Sequence, residues 1–213
     1  MSLNTVVNDS MLGRLNLIPG EAVFNDESAD IDFRVESDNN THMLFVDAGN
    51  DAVGIGNSNP GGYSGDGRDL VIGTTGGDNG LSIISGTSGT GNIYFGDTEE
   101  TGTGSRRGQI VYDHSSDILK LFTAAGERFT IGSTGNITQT NTSAGSGEGP
   151  LYNLYRNSAS PADNDDLGVI NFKGKNDAAE DVIYATIESQ ALDVTDATED
   201  GRLFLIKCLF ILF

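Results

Sequence analysis

The chain has 213 residues, with 31 acidic against 12 basic side chains and a net charge of −19. It holds 29 glycines, four prolines and no tryptophan. A negative field of this size repels nucleic-acid phosphates and anionic membrane surfaces, which argues against direct DNA binding. A glycine costs about 1 kcal/mol relative to alanine inside a helix, so this punctuation leaves few windows for a continuous helix and predicts an all-β chain. The length suits one or two globular domains or a row of small repeated units. The acidity itself has two readings, solubility with protection of exposed strand edges, or cation binding. The single cysteine, Cys208, cannot form an internal disulfide.

In chain order, residues 1–21 read as a leader in which Leu12, Leu15, Leu17 and Ile18 form one short element before a turn at Pro19 and Gly20. They lack the basic start and continuous apolar core of a secretory signal, so no export is implied. A first β unit is assigned to 22–62. There Ile31, Phe33 and Val35 alternate with Asp32, Arg34 and Glu36, the period of a strand with one dry and one wet face. A polar turn at 37–41, an apolar run at 42–47, turn-forming Ala48, Gly49, Asn50 and Asp51, and the pair Val53 and Ile55 complete a hairpin that stops at Pro60.

The second β unit is assigned to 63–139, after a flexible GGYSGDGRD connector. Strands are predicted at Leu70 to Ile72, at Leu81, Ile83 and Ile84, at Ile93 to Phe95 and at Gln109 to Tyr112. Their spacing of about ten to fifteen residues is that of a meander of short antiparallel strands. Residues 140–149 form a Gly/Ser-rich link to a third β unit, so 140–213 is read as linker plus third unit.

The chain repeats itself. Leu44, Phe45, Ala48, Gly49, Ile55 and Gly56 align with Leu121, Phe122, Ala125, Gly126, Ile131 and Gly132 with one residue of gap. Gly91, Ile93 and Phe95 align with Gly168, Ile170 and Phe172, followed by IVY at 110–112 and VIY at 182–184. Units this small bury too little apolar surface to offset their ordering entropy alone, so they must stack on neighbours or on copies from other chains.

The phrases DFRVES, LFVDAGND and VGIG followed by a proline, together with GQIVYDHSSDILKLFTAAGERFTIGSTGNI at 108–137, resemble modules of tail-fibre and related structural proteins of tailed bacteriophages, especially those known from marine sequence. The resemblance implies a virion structural protein of external location: a tail-fibre segment with a mechanical and host-adhesion role, elongated and intertwined as a homotrimer. The implied partners are copies of itself, other tail or baseplate proteins, and a host surface glycan. It implies no cofactor, no metal, no nucleic acid, no membrane span and no catalytic residue. Contact with a host falls to loops 61–69 and 96–108, since recognition on rigid β scaffolds is carried by loops. Tyr63, Arg68, Tyr94, Arg106 and Arg107 are the candidate receptor-contact residues, the alternative being ordinary surface and core roles.

Chemistry-bearing motifs are sparse. His42 and His114 are the only histidines, which excludes an HExxH metal site. Asp113, His114 and Ser115 are adjacent, and neighbours on a strand point to opposite faces, so they cannot form a triad among themselves. AGNDAVGIG at 48–56 is similar to the calcium-binding nonapeptide of β-roll proteins, but in a single copy where tandem copies are needed. Asp163, Asp165 and Asp166, and Glu99 and Glu100, are solvated loop carboxylates or, in a glycan-cleaving fibre, a catalytic pair. Three alternatives to a tail fibre therefore stay open: a calcium-stabilised bacterial surface adhesin, a fibre-borne polysaccharide depolymerase, and a capsid decoration fibre. Residues 203–213 are nearly all apolar yet too few to span a bilayer. They read as a strand buried at a trimer axis, a membrane-contacting tip, or a truncated or frame-shifted end.

Overall fold

The computed structural model describes residues 15–18, 21–24 and 28–207. The described residues are all-β, with only two short 3-10 turns, at Pro60–Gly62 and Gly104–Arg106. The strands are β1 (Leu15–Ile18), β2 (Glu21–Phe24), β3 (Phe33–Val35), β4 (Leu44–Asp47), β5 (Ala52–Ile55), β6 (Leu70–Ile72) and β7 (Thr90–Phe95), followed by β8 (Gly108–Asp113), β9 (Ile118–Thr123), β10 (Gly126–Ile131), β11 (Ile137–Gln139), β12 (Asp166–Lys175), β13 (Asp181–Asp193) and β14 (Asp200–Lys207). They form sheets of order β1-β2, β3-β4-β5-β6, β11-β10-β9-β8-β7 and β12-β13-β14. By backbone proximity the chain divides into two units, one reaching Ile93 and including Val111–Asp117, the other made of Tyr94–Ile110 and the chain from Ile118 onward.

The leader expectation meets a hairpin: β1 pairs antiparallel with β2, Leu15 opposite Phe24. Leu12, Pro19 and Gly20 lie outside the described residues. In the next sheet the expected dry face of Ile31, Phe33 and Val35 is not the buried one: Val35 is 45% exposed, and β4 turns Phe45 and Asp47 inward with Leu44 and Val46 outward, because burial follows the side on which another segment lies. Phe45 faces Gly54 of β5, which in turn faces Val71 of β6. Phe45, Ala52 and Val71 are the buried apolar side chains of this sheet, and Pro60 is fully buried.

The expected antiparallel meander has one exception, since β6 runs parallel to β5. A parallel pair needs a crossover of about a dozen residues or more, and residues 56–69 supply it. The strand expected at Leu81, Ile83 and Ile84 is not formed; Leu81 and Ile84 stand largely exposed. Periodicity there is overruled by the glycines at 77, 80, 86 and 89 and by the lack of a partner strand to take the backbone hydrogen bonds.

The aligned repeat LF…AG…IG falls on two hairpins, β4–β5 and β9–β10, that turn differently. The first uses four loop residues, with Asp51 at positive φ. The second closes in two, Thr123 opposite Gly126, with Ala124 and Ala125 at φ 50° and 58°. Both residues at positive φ is the type I′ geometry that matches strand twist and normally selects Asn-Gly. The second alignment falls on β7 and β12, each at the edge of its sheet, with IVY and VIY on the strands next to them. The 140–149 link folds back on itself: the Asn141 side chain donates to the Glu148 carbonyl and accepts from the Ser143 amide.

Two stability changes are expected. A Cβ on Gly54 would sit 2.5 Å from the Asn57 carbonyl oxygen, so Gly54→Ala lowers stability by about 1–3 kcal/mol through overpacking, whereas Gly67→Ala, with open space around it, is close to neutral. Replacing Ala124-Ala125 by Asn-Gly relieves the left-handed strain and raises stability by about 1 kcal/mol. Denaturant midpoints of the variants check both.

Candidate functional site

The candidate contact residues divide between the two units. Tyr63 and Arg68 belong to the first, on the crossover between β5 and β6; Tyr94, Arg106 and Arg107 belong to the second.

The crossover is built on Asn57, which the sequence presents only as part of a strand stop. Asn57 is 3% exposed. Its side-chain carbonyl accepts from the Asn59 amide at 2.8 Å, and its side-chain amide donates to the Gly73 carbonyl at 2.5 Å and to the Tyr63 hydroxyl at 3.1 Å. A buried amide must satisfy its donors and acceptor, and here that need ties both ends of the crossover together. The turn before it is organised by Asp47, whose carboxylate accepts from the Asn50 backbone and side-chain amides at 3.0–3.1 Å. Asp32 accepts from the Ala48 amide. A Cβ on Gly61 would collide with the Asn50 side chain, so the 3-10 turn at Pro60–Gly62 lies directly on this hairpin turn. Tyr63 is thus anchored through its hydroxyl while 44% of its surface stays exposed, a tethered ring with a free side. Arg68 is half-buried at the end of the crossover.

In the second unit the 96–108 loop is closed by its own backbone. The Asp97 amide donates to the Gly104 carbonyl at 3.0 Å, and the Ser105 hydroxyl donates to the Gly102 carbonyl. Gly96 admits the Ser105 backbone, whose carbonyl oxygen would lie 2.9 Å from a Cβ at that position. Arg107 is engaged by Asp97 at 3.3 Å, and its carbonyl accepts from the Ala125 amide. Arg106 stands exposed at the end of the 3-10 turn, and Tyr94 is half-exposed on β7. An exposed ion pair of this kind contributes at most about 1 kcal/mol, but it orients the guanidinium.

The remaining chemical groups serve turns. Ser115 donates from both its amide and its hydroxyl to Asp113, an Asx-type turn, while His114 lies edge-on to Tyr112. The Tyr112 hydroxyl donates to Asp117 at 3.2 Å, and that hydrogen bond, helped by burial and by the carboxylate charge, holds the phenol above its ordinary pKa. Asp165 pairs with Arg156 at 3.1 Å and accepts from the Ala162 amide; Asp163 accepts from the Val194 amide, and Asp166 from Gln190. Among the described residues no three of His, Cys, Asp and Glu converge as metal donors, and no helix is long and apolar enough to cross a membrane.

No family model, curated protein or solved structure matches the chain.

Asp193 provides a test of the turn between β13 and β14. Its carboxylate accepts from the Thr195 amide at 2.8 Å, then from the Thr195 and Thr198 hydroxyls, which hold it below the ordinary carboxylate range. Its stabilisation is therefore complete above the unfolded-state value and disappears as the pH falls through the lowered folded value. In a carboxyl-carbon NMR titration Asp193 should have a midpoint below that of a reference aspartate, and the Thr195 amide resonance should titrate with it.

Proposed function

We propose that this chain is a virion structural protein, a segment of a phage tail fibre with a mechanical and host-adhesive role, working as an elongated homotrimer. The observation that carries the reading is the amount of apolar side chain a single chain leaves uncovered. Among the described residues, the buried apolar side chains are Phe45, Ala52, Pro60, Val71, Val111 and Ala191. Leu70, Phe95, Phe172, Leu203 and Leu205 are each more than half exposed. A mechanical element made of several interwound copies needs such unfinished single chains, because each copy supplies the others' core.

The adhesive part of the reading rests on loops 61–69 and 96–108. Both are internally hydrogen-bonded, so they present Tyr63 and Arg68 on one unit, and Arg106 and Arg107 on the other, at little ordering cost; Tyr94 is half-exposed on β7. Aromatic rings and guanidinium planes are suited to stacking on sugars of a host surface glycan. Tail or baseplate proteins of the same virion are the structural partners in this reading. The phrases LFVDAGND and GQIVYDHSSDILKLF supply the link to phage appendages.

Light scattering on the purified chain tests the assembly. Three copies of 22.4 kDa give about 67 kDa, and the mass should persist in chelator; a folded single-chain mass overturns the fibre reading. Adhesion is tested separately with fluorescently labelled protein on a panel of bacteria: Tyr63→Ala with Arg106→Ala should lower cell binding at unchanged mass.

A further inference from the structure

We infer that the outer face of the β3-β4-β5-β6 sheet is a self-association surface, packed in the working protein against the same face of further copies of this chain. Residues opposite each other on neighbouring strands share a face. Register therefore places two rows across the sheet: Val35, Leu44, Ile55 and Ile72 in one, and Phe33, Val46, Val53 and Leu70 in the other. All eight side chains are apolar. The opposite face already has its cover, since Phe45, Ala52 and Val71 are buried there and the buried Asn57 lies against Gly54 of the same row. On the outer face Val35 is 45%, Ile55 41% and Leu70 54% exposed, and the Phe24 ring is laid on Phe33 at its edge, 4.9 Å between centroids. A sheet dry on one side and wet on the other alternates polar and apolar residues; one buried on both sides reads as continuous apolar runs. LFV, AVGI and LVI are runs of the second kind, so this sheet has the composition of a middle layer with one layer present.

Two observations make the occupant a copy of the chain rather than a different partner. The first is charge. In a chain of net charge −19, these two rows carry no carboxylate, so here two copies can approach without opposing like charges. The second is that the same need recurs on another sheet. On β12-β13-β14 one face is a polar ladder: Thr186 donates to Asn171, Gln190 to Asp166 and Arg202 to Gln190, and Arg202 lies 4.2 Å over the Phe204 ring. Its other face sets Ile170, Ile187 and Leu205 in one row, with Phe172 and Leu203 beside it; Phe172 is 52%, Leu203 65% and Leu205 76% exposed. Neighbouring copies bring a matching face to each sheet, a fit that an isologous or cyclic contact provides without a second gene product. The number of copies rests on the homotrimer reading; the identity of the face does not.

The full chain tests this in two ways. Light scattering should give the assembled mass for the wild type and for Ser64→Lys, on the crossover, and a mass of about 22.4 kDa for Ile55→Lys with its β-type circular dichroism retained. For a substitution mild enough to keep the fold, Val46→Cys in a Cys208→Ser background should give an inter-chain disulfide under oxidation, while Ser64→Cys in that background should not. An assembled wild type whose Val46→Cys variant fails to cross-link and whose Ile55→Lys variant keeps its mass overturns this face and leaves the homotrimer reading standing. A monomeric wild type overturns both.

Discussion

A β-sheet can bury a side chain only against something laid over it, and in this chain the covering layer is thin. Among the described residues β1 to β11 are only three to six residues long, β12 to β14 are longer, and each sheet has at most five strands. Where a segment of the chain does lie over a sheet, as the crossover does on the four-stranded one, a small core forms around Phe45, Ala52 and Val71. Elsewhere alternation sorts apolar from polar side chains without burying the apolar ones. Burial of one large aliphatic or aromatic side chain contributes about 1.5–3 kcal/mol, so leaving Leu203, Leu205, Phe172 and Leu70 in water forgoes a stabilisation comparable with that of a small domain. The proposed assembly follows from that constraint.

Local order is nevertheless high, because turns and loops are held by polar side chains rather than by a core. Asp47, Asn141 and Asp193 take part in hydrogen bonds that close turns, while Asn57 and Asp163 tie a loop to a distant segment. This gives the heavy scatter of Asn, Asp, Ser and Thr a structural meaning beyond solubility. Short polar side chains mimic backbone groups, and they stabilise turns that have no apolar cover. The cost is a surface rich in carboxylates.

The sequence-level reading was strongest where period and punctuation agreed. The strands at β3 to β6 and at β7 and β8 lie where Phe33, Leu44, Val53, Leu70, Ile93 and Ile110 predict them, and the β4–β5 turn falls at 48–51 as expected. It failed at Leu81 to Ile84, where the pattern suits a strand but no partner pairs with it. It also missed the parallel β5–β6 pairing, because period-2 alternation is the same for both directions of a neighbour. In sequence Asn57 stands only in the polar run before Pro60; its role as a hub depends on Gly73 and Tyr63, which the fold brings beside it.

Composition and alternation by themselves determined that this protein is all-β, that its turns use glycine and short polar residues, and which side of most strands is apolar. Those properties depend on each residue and its near neighbours along the chain. Only the tertiary structure decided which apolar faces the chain covers for itself and which it leaves exposed, and that Tyr63 is tethered while Arg107 is engaged by Asp97. These depend on register and on what a distant segment is laid against, since opposite faces of one strand look alike in sequence when both are apolar and differ only in whether a second layer is present.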